Sequence, residues 1–413
     1  MRIFKWRQIK KEQSLDPKST KNQRTIGFNY LKNSQIYFDS ACQSLRPQPV
    51  IDSLVEYYQK YNSCGERVKY QWGKLTDQKV EQTREQVLKF LKLKKKEYFV
   101  SFTLNTTYGI NLLLSQLNPK LSGLKTIITS DLEHNSVFLA TMEFAKKHKL
   151  HREVLNRLDD GTLPISELPD NSLVVINVVS NVDGRILKNL TEVVKYVHQK
   201  HGFIILDAAQ AMAHHSALLY ETNADAICFS AHKMYSASLG VLVVKKSFLS
   251  QMELNFLGGG MVDDVEKDRY LLSAEHEDKM HTAFEAGLQS WGEIIALGAA
   301  LDWLNYLPET APARLDLCSQ KLFDFLSHHP KIHCLNREQS STLSFYFEGV
   351  DSHLLGEALA DQGIMVRTGY FCVHYYLDHK MHLPPLIRVS LGYHNTEADI
   401  DKLIHQLERL RCL

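Results

Sequence analysis

The chain has 413 residues, of which 44% are hydrophobic, and its 48 basic and 47 acidic side chains leave a formal net charge of +1. That length exceeds one compact core and predicts two domains. The balanced charge gives no sign of a nucleic-acid partner or of a membrane-surface partner.

Other features of the whole sequence predict a cytoplasmic protein. Charged residues interrupt the opening residues too early for a signal peptide, and no apolar run reaches membrane-spanning length. The seven cysteines are an odd number and form neither a CxxC pair nor a zinc-binding spacing. We therefore expect reduced thiols and no bound metal.

The N-terminal part of the chain precedes the regular pattern. Residues 1–35 are rich in Lys, Arg and Gln and predict a partly ordered tail. Pro49 is expected to start a helix that continues to about Tyr61, followed by a polar loop over residues 62–76. A large domain is predicted over residues 36–290.

From Asp77 onward the sequence alternates between helical and strand patterns. The strands are predicted from short apolar runs, many of them rich in β-branched or aromatic residues. These runs are Tyr98–Phe102, Thr126–Thr129, Leu173–Val179, Phe203–Leu206, Ala226–Phe229 and Val241–Val244. Such alternation predicts a largely parallel sheet covered on both faces, with active groups at the C-terminal ends of its strands.

Two neighbouring strand ends carry residues suited to one cofactor. Lys233 follows the run Ala226–Phe229, and Asp207 follows Phe203–Leu206. An amine beside apolar walls loses its charge easily and can form a Schiff base with an aldehyde such as pyridoxal phosphate (PLP), while a carboxylate keeps the pyridine nitrogen of PLP protonated. Taken singly, the lysine is more simply a surface residue and the aspartate a helix cap. Together they favour a PLP site.

The final part of the chain, residues 291–413, predicts a smaller domain of mixed helices and strands. A strand is expected at Ser341–Phe347, and a last helix begins at Thr396, with Asp399 in a capping pattern. The helix carries an apolar stripe, formed by Ile400, Leu403, Ile404, Leu407 and Leu410. This spacing indicates core packing.

Several motifs together resemble those of the class V aminotransferase branch of fold-type I PLP enzymes, and within it the group II cysteine desulfurases. They include Asp207-Ala208-Ala209-Gln210, Ser230-Ala231-His232-Lys233 and Arg367-Thr368-Gly369-Tyr370-Phe371-Cys372. The resemblance implies an α/β protein with a mostly parallel seven-stranded sheet in the large domain and a smaller α+β C-terminal domain. It also implies a homodimer.

The same resemblance implies roles for individual residues. Phosphate contacts fall to Thr106, Thr107, Ser230 and His232, ring contacts to His134, Asn181, Asp207 and Gln210, and the aldehyde to Lys233. Arg388 corresponds to the arginine that binds the substrate carboxylate, and Asn181 also lies beside the substrate. Cys372 corresponds to the nucleophile that takes sulfur from L-cysteine, leaving L-alanine and a persulfide for a possible acceptor protein.

Departures from the family pattern keep other functions open. Leu288 stands where the family often has a threonine that reaches the partner subunit's cofactor, and Tyr370 and Phe371 replace more polar residues. An aminotransferase, an epimerase or a selenocysteine lyase would use Lys233 without needing Cys372. A catalytically silent PLP-fold subunit that binds a partner is a further alternative, although such a scaffold has no need of the full catalytic set.

Overall fold

The computed structural model describes residues 27–32, 34–65 and 68–410. The predicted tail, residues 1–35, therefore lies largely outside the described residues. Among the described helices, none is long and apolar enough to cross a membrane.

The strands are numbered in chain order. They are β1 (Ile36–Tyr37), β2 (Tyr98–Thr103), β3 (Thr126–Ser130), β4 (His151–Leu155), β5 (Ser172–Asn177), β6 (Phe203–Asp207), β7 (Ala226–Ser230), β8 (Gly240–Lys245), β9 (Val262–Val265), β10 (Tyr270–Leu272), β11 (Ile332–Cys334), β12 (Thr342–Phe347), β13 (Ile364–Met365), β14 (Arg367–Gly369) and β15 (Leu386–Ser390).

The α-helices are numbered in the same way. They are α1 (Gln48–Lys60), α2 (Gln71–Phe90), α3 (Thr106–Gln116), α4 (Pro119–Ser122), α5 (Asn135–His148), α6 (Leu190–Gln199), α7 (Ala211–His214), α8 (Lys246–Leu249), α9 (Trp291–Asn305), α10 (Thr310–His328), α11 (Ser352–Asp361) and α12 (Glu397–Leu410). The predicted loop over residues 62–76 is shorter than expected, because α2 already begins at Gln71.

The central sheet confirms the predicted architecture. It has seven strands in the order β2-β8-β7-β6-β5-β3-β4. Only β8 runs against its neighbours, pairing antiparallel with both β2 and β7. Every residue of β5 is buried, as expected for a parallel strand covered on both faces. Each predicted apolar run coincides with one of these strands, but β4 was missed.

Around the sheet lies the first hydrophobic core. It covers one face, where alternate residues of β5, β6 and β7 pack against helices α2 and α6. Ile294 and Leu297 of α9 pack in the same cluster. The predicted boundary near residue 290 coincides with the start of α9, and the division of the chain there stays a prediction.

A second core joins the two ends of the described chain. It is built around the four-stranded antiparallel sheet β11-β12-β15-β14. Ile36 and Phe38 belong to this cluster, as do Leu403 and Leu407 of the predicted apolar stripe on α12. The N-terminal segment also pairs directly with the C-terminal part, because β1 and β13 are parallel neighbours. Tyr235, which follows β7, belongs to the same cluster, so the second core adjoins the region where the β7 strand ends.

Candidate active site

The candidate site lies where β6 and β7 end. These strands are parallel neighbours in which Asp207 pairs in register with Cys228, so the motifs that follow them meet at one edge of the sheet. Lys233 ends a short 3₁₀ turn, Ala231–Lys233, directly after β7. Burial lowers the pKa of the Lys233 ammonium, and Asp207 opposes that shift. The site thus contains an amine that gives up its proton more readily than an exposed lysine.

Asp207 is a buried carboxylate at the end of β6. Its Oδ1 accepts a hydrogen bond from the Ala209 amide at 2.9 Å, and its Oδ2 lies 3.5 Å from Ser136 Oγ. Burial raises the pKa of Asp207, and the Ala209 amide, Lys233 and Ser136 act in the opposite direction. A protonated ring nitrogen would give this carboxylate the charged partner that a buried acid requires.

His134 is held by hydrogen bonds to Ser136, the residue whose hydroxyl lies near Asp207. It is the N-cap residue of α5, where its Nδ1 accepts a hydrogen bond from the Ser136 amide at 3.1 Å. That bond leaves the proton on Nε2. Burial, followed by the charges of Lys233 and Arg388, lowers the pKa of His134 to about 4. The imidazole is therefore uncharged at neutral pH, which suits stacking on an aromatic ring.

The predicted phosphate contacts gather at the N-terminus of α3. Ser230 Oγ accepts a hydrogen bond from the Thr106 amide at 2.9 Å and lies 2.6 Å from Thr106 Oγ1. The Thr107 amide belongs to the same first turn and has no protein acceptor among the described residues. Burial, then the charges of Lys233 and Arg46, lowers the pKa of His232 to about 4. A helix N-terminus with amide and hydroxyl donors favours an anion.

Gln210 and Asn181 use their side-chain amides to hold neighbouring backbone. Gln210 Nε2 donates to the Ala41 carbonyl at 2.7 Å, and Asn181 Nδ2 donates to the Phe371 carbonyl at 2.8 Å. Asn181 thereby binds the residue that precedes Cys372. Each of these amides therefore fixes a backbone segment that borders the site, in addition to the cofactor contact predicted for it.

Arg388 is buried and only partly satisfied by protein groups. Its Nη1 donates to the Asn181 carbonyl and its Nη2 to Asp39 Oδ1, each at 3.0 Å. The guanidinium also lies 4.8 Å from the centre of the Phe371 ring. Its Nε is a buried donor with no acceptor among the described residues. The edge formed by Nε and Nη2 can bind a carboxylate with two hydrogen bonds.

Asp39 is a residue of the site that sequence reasoning missed. It lies just after β1 and pairs with Arg388 across most of the chain. The only signal was its place in the stretch Tyr37-Phe38-Asp39-Ser40-Ala41, which contains no catalytic spacing. The pair fixes the plane of the guanidinium without using its Nε.

Cys372 is an exposed residue between the buried Phe371 and Val373, on a loop that hydrogen bonds attach to the site. Phe371 and Cys372 both have left-handed backbones, with φ of 50° and 59°. The Cys372 carbonyl accepts a hydrogen bond from the Asn135 amide at 2.7 Å. Because Asn135 is the residue after His134, the backbone of Cys372 is held next to the segment that carries His134. Cys372 is a free thiol and exposed.

The donor set of this edge fits PLP. An anion-binding helix N-terminus, a buried carboxylate, a neutral imidazole and an amine with a lowered pKa match the phosphate, ring nitrogen, ring face and aldehyde of that cofactor. The structure brings the predicted residues to the ends of adjacent elements. The individual cofactor contacts stay predictions.

Comparisons with known proteins agree with this arrangement. A sequence model of the family described as "Aminotransferase class-V" matches residues 36–403. The chain is 32% identical over 388 residues to a probable cysteine desulfurase from Haemophilus influenzae, covering 92% of this chain and 86% of the relative.

Solved structures give a similar result. The fold is similar to the apo structure of a cysteine desulfurase from Thermococcus onnurineus NA1, with a TM-score of 0.84, 26% identity and coverage of 96% of this chain and 98% of that chain. A cysteine desulfurase from Escherichia coli shares the fold with a TM-score of 0.85 at 24% identity, covering 97% of this chain and 100% of that chain.

Proposed function

The chain belongs to the class V aminotransferase family, and from this membership we propose that it is a PLP-dependent cysteine desulfurase. The predicted fold class and cofactor are confirmed, because the family is of the fold-type I architecture and uses PLP. The proposed reaction converts L-cysteine and the Cys372 thiol to L-alanine and a persulfide on Cys372. Atoms balance, since the sulfur leaves the substrate Cβ for Cys372 and a proton takes its place on carbon.

The observation that carries this proposal is the attachment of the Cys372 loop. The residue that carries this exposed thiol is held by its backbone. The Cys372 carbonyl accepts a hydrogen bond from Asn135, and the preceding Phe371 carbonyl accepts one from Asn181. A PLP enzyme that only moves amino groups needs no thiol at this place. The relatives and the solved structure above 25% identity bear names of cysteine desulfurases, which supports the same choice.

PLP supplies an aldehyde for amines and a protonated pyridine ring that withdraws electrons from the substrate Cα. In the proposed mechanism Arg388 binds the substrate carboxylate through Nε and Nη2, and Asp207 holds the proton on the ring nitrogen. Lys233 Nζ takes the proton from Cα, a task suited to an amine whose pKa burial lowers. Cys372 then attacks the substrate sulfur, for which a thiolate is an intrinsically good nucleophile.

Incubation of the PLP-loaded protein with L-cysteine tests the function directly. We expect alanine to form in equal amount to released or protein-bound sulfur. Addition of a reductant should release that sulfur as sulfide and sustain turnover, because the persulfide must be cleared from the enzyme. Formation of a keto acid or racemised cysteine without sulfur release would instead favour an aminotransferase or an epimerase. Selenocysteine as the preferred substrate would favour a lyase.

An exposed apolar stretch supports the proposed homodimer. Large apolar side chains that are at least 40% exposed concentrate within residues 256–288, around the β9–β10 hairpin. They are Phe256, Leu257, Val265, Tyr270, Leu271 and Leu288. Large exposed apolar patches on a protein mark interaction sites. We propose that a second copy of this chain covers them.

Light scattering is expected to give twice the chain mass for the PLP-loaded protein. Leu288 is 76% exposed and stands where the family often has a threonine. Leu288→Asp should shift the mass toward the monomer, since a charge at an apolar interface is costly. The matched control is Leu317→Asp, at a leucine of α10 that is 61% exposed, which should stay dimeric. A wild-type monomer with bound cofactor would refute the dimer.

The sulfur acceptor and the compartment complete the proposal. The exposed position of Cys372 supports transfer of its sulfur to an acceptor protein. The described cysteines are all free, which supports work in a reducing compartment such as the cytoplasm.

A further inference from the structure

The segment after Cys372 is fixed to the stretch of chain that carries His134. Tyr375–Lys380 forms a π-helical turn, a rare backbone that is frequent at functional sites. At its end Lys380 Nζ donates to Asp131 Oδ2 at 2.6 Å. Because Asp131 shortly precedes His134 in sequence, this ion pair joins the nucleophile segment to the ring-stacking segment.

The Lys380–Asp131 pair is buried on its acidic side. The Asp131 side chain is 2% exposed and that of Lys380 32% exposed. The second oxygen of Asp131 accepts a hydrogen bond from the Arg157 amide at 2.9 Å, and Lys380 also donates to Asn156 Oδ1 at 2.5 Å. A carboxylate withdrawn from water needs a charged or hydrogen-bonding partner. The position of the Lys380 ammonium is therefore determined by several groups at once.

Two aromatic contacts hold the same turn. The Tyr375 ring stacks on Phe138 of α5, with centroids 4.7 Å apart and planes inclined by 21°. Tyr376 packs against the apolar cluster that includes Leu132 and Val182 of the large sheet's loops. Side-chain contacts therefore attach this turn to elements that pack on the seven-stranded sheet.

The loop before the turn requires such support. Consecutive left-handed residues at Phe371 and Cys372 are unfavourable for side chains with a Cβ, and they persist where contacts on both sides determine them. On the upstream side these contacts come from Asn181 and Asn135. On the downstream side the charged contact is Lys380.

We propose that Lys380 is a positioning residue for Cys372. Its ion pair with Asp131 anchors the downstream side of the nucleophile loop and thereby sets where the thiol lies relative to Lys233. The inference rests on the proposed function, in which Cys372 receives sulfur. Since a misplacement of about 1 Å can cost about 10²-fold in rate, loss of this anchor should slow sulfur transfer without weakening substrate binding.

The test compares PLP-loaded wild type with Lys380→Met in two measurements. Amide hydrogen exchange on the peptide that contains Cys372 and the π-turn is expected to become several-fold faster. Single-turnover sulfur transfer to Cys372 should fall about 10- to 100-fold, with the KM for cysteine and the cofactor absorption unchanged. Lys380→Arg keeps the cation and should recover most of both losses. Lys321→Met is the matched control, because Lys321 is 38% exposed but pairs with Asp401, which is 61% exposed.

A double variant separates positioning from mere charge balance. Asp131→Asn in the Lys380→Met background removes the buried negative charge that Lys380→Met leaves without its cation, but it does not restore the contact between the two segments. We expect the exchange and transfer defects to persist. Their return to wild-type values, or unchanged exchange in Lys380→Met, would overturn the inference. Exchange does not depend on turnover, so a wild type that releases no sulfur would reject the proposed function while the exchange comparison still decides whether Lys380 holds the loop.

Discussion

Replacement of Lys233 by alanine is expected to replace the Schiff-base absorption band of the PLP-loaded protein by that of the free PLP aldehyde and to lower alanine formation by at least about 10³-fold. The variant loses both the amine that binds the aldehyde and the base that moves the Cα proton. The phosphate and ring contacts come from other elements, so cofactor should still bind without a covalent bond. Absorption spectra, combined with cofactor released by denaturation, measure the two effects separately.

Lys245→Ala is the matched control for this lysine. Lys245 ends β8, the neighbour of β7, and donates to Asn223 Oδ1 at 2.7 Å at the surface. Its variant should keep both the absorption band and the rate. An unchanged spectrum in Lys233→Ala would refute the Schiff-base assignment and, with it, the role of the β7 end in the proposed mechanism.

The central strands of the sheet were predictable because a strand that is buried on both faces has consecutive apolar residues. Edge strand β4 was not predictable in this way. Its residues His151, Arg152 and Glu153 face partly to solvent, so the segment lacks the apolar run that marked the other strands. Its pairing with β3 depends on backbone hydrogen bonds, which carry no side-chain signature.

Contacts between distant parts of the chain could not be predicted from the sequence either. Ile36 pairs with Ile364, and nothing local to the dipeptide at Ile36 and Tyr37 indicates a strand partner so far along the chain. The helix at Trp291–Asn305 is apolar on nearly all sides, so periodicity does not decide which core it joins.

The candidate site shows the same division. The placement of Lys233 and Asp207 at one end of the sheet was predictable because topology brings the ends of parallel neighbouring strands together, while their roles stay predictions. The ion pairs of Asp39 and Lys380 were not predictable, since each is an ordinary charged residue outside the central sheet whose partner lies far away in the sequence. The residues predicted to touch the cofactor thus have recognisable spacing, whereas ion pairs between distant segments become visible only in three dimensions.

Cys372→Ser is expected to abolish sulfur transfer while leaving the cofactor site intact. A serine hydroxyl ionises far less readily than a thiol and cannot hold a second sulfur atom. Alanine formation should therefore fall by at least about 10³-fold. Asp207, Lys233 and Arg388 are untouched, so the variant should still bind PLP and still show the spectral change that cysteine binding produces. Stopped-flow spectra and alanine analysis measure the two properties on one sample.

Mass spectrometry completes this test by locating the transferred sulfur. After a single turnover of wild type, one additional sulfur atom is expected on the peptide that contains Cys372. Cys64→Ser is the matched control, because Cys64 is the other described cysteine that is free and exposed, and this variant should label and turn over like wild type. Sulfur found on Cys42 or Cys64, or wild-type alanine production by Cys372→Ser, would assign the nucleophile elsewhere. Cys42 is also a free thiol and follows Ala41, whose carbonyl accepts a hydrogen bond from Gln210, so the peptide map must distinguish Cys42 from Cys372.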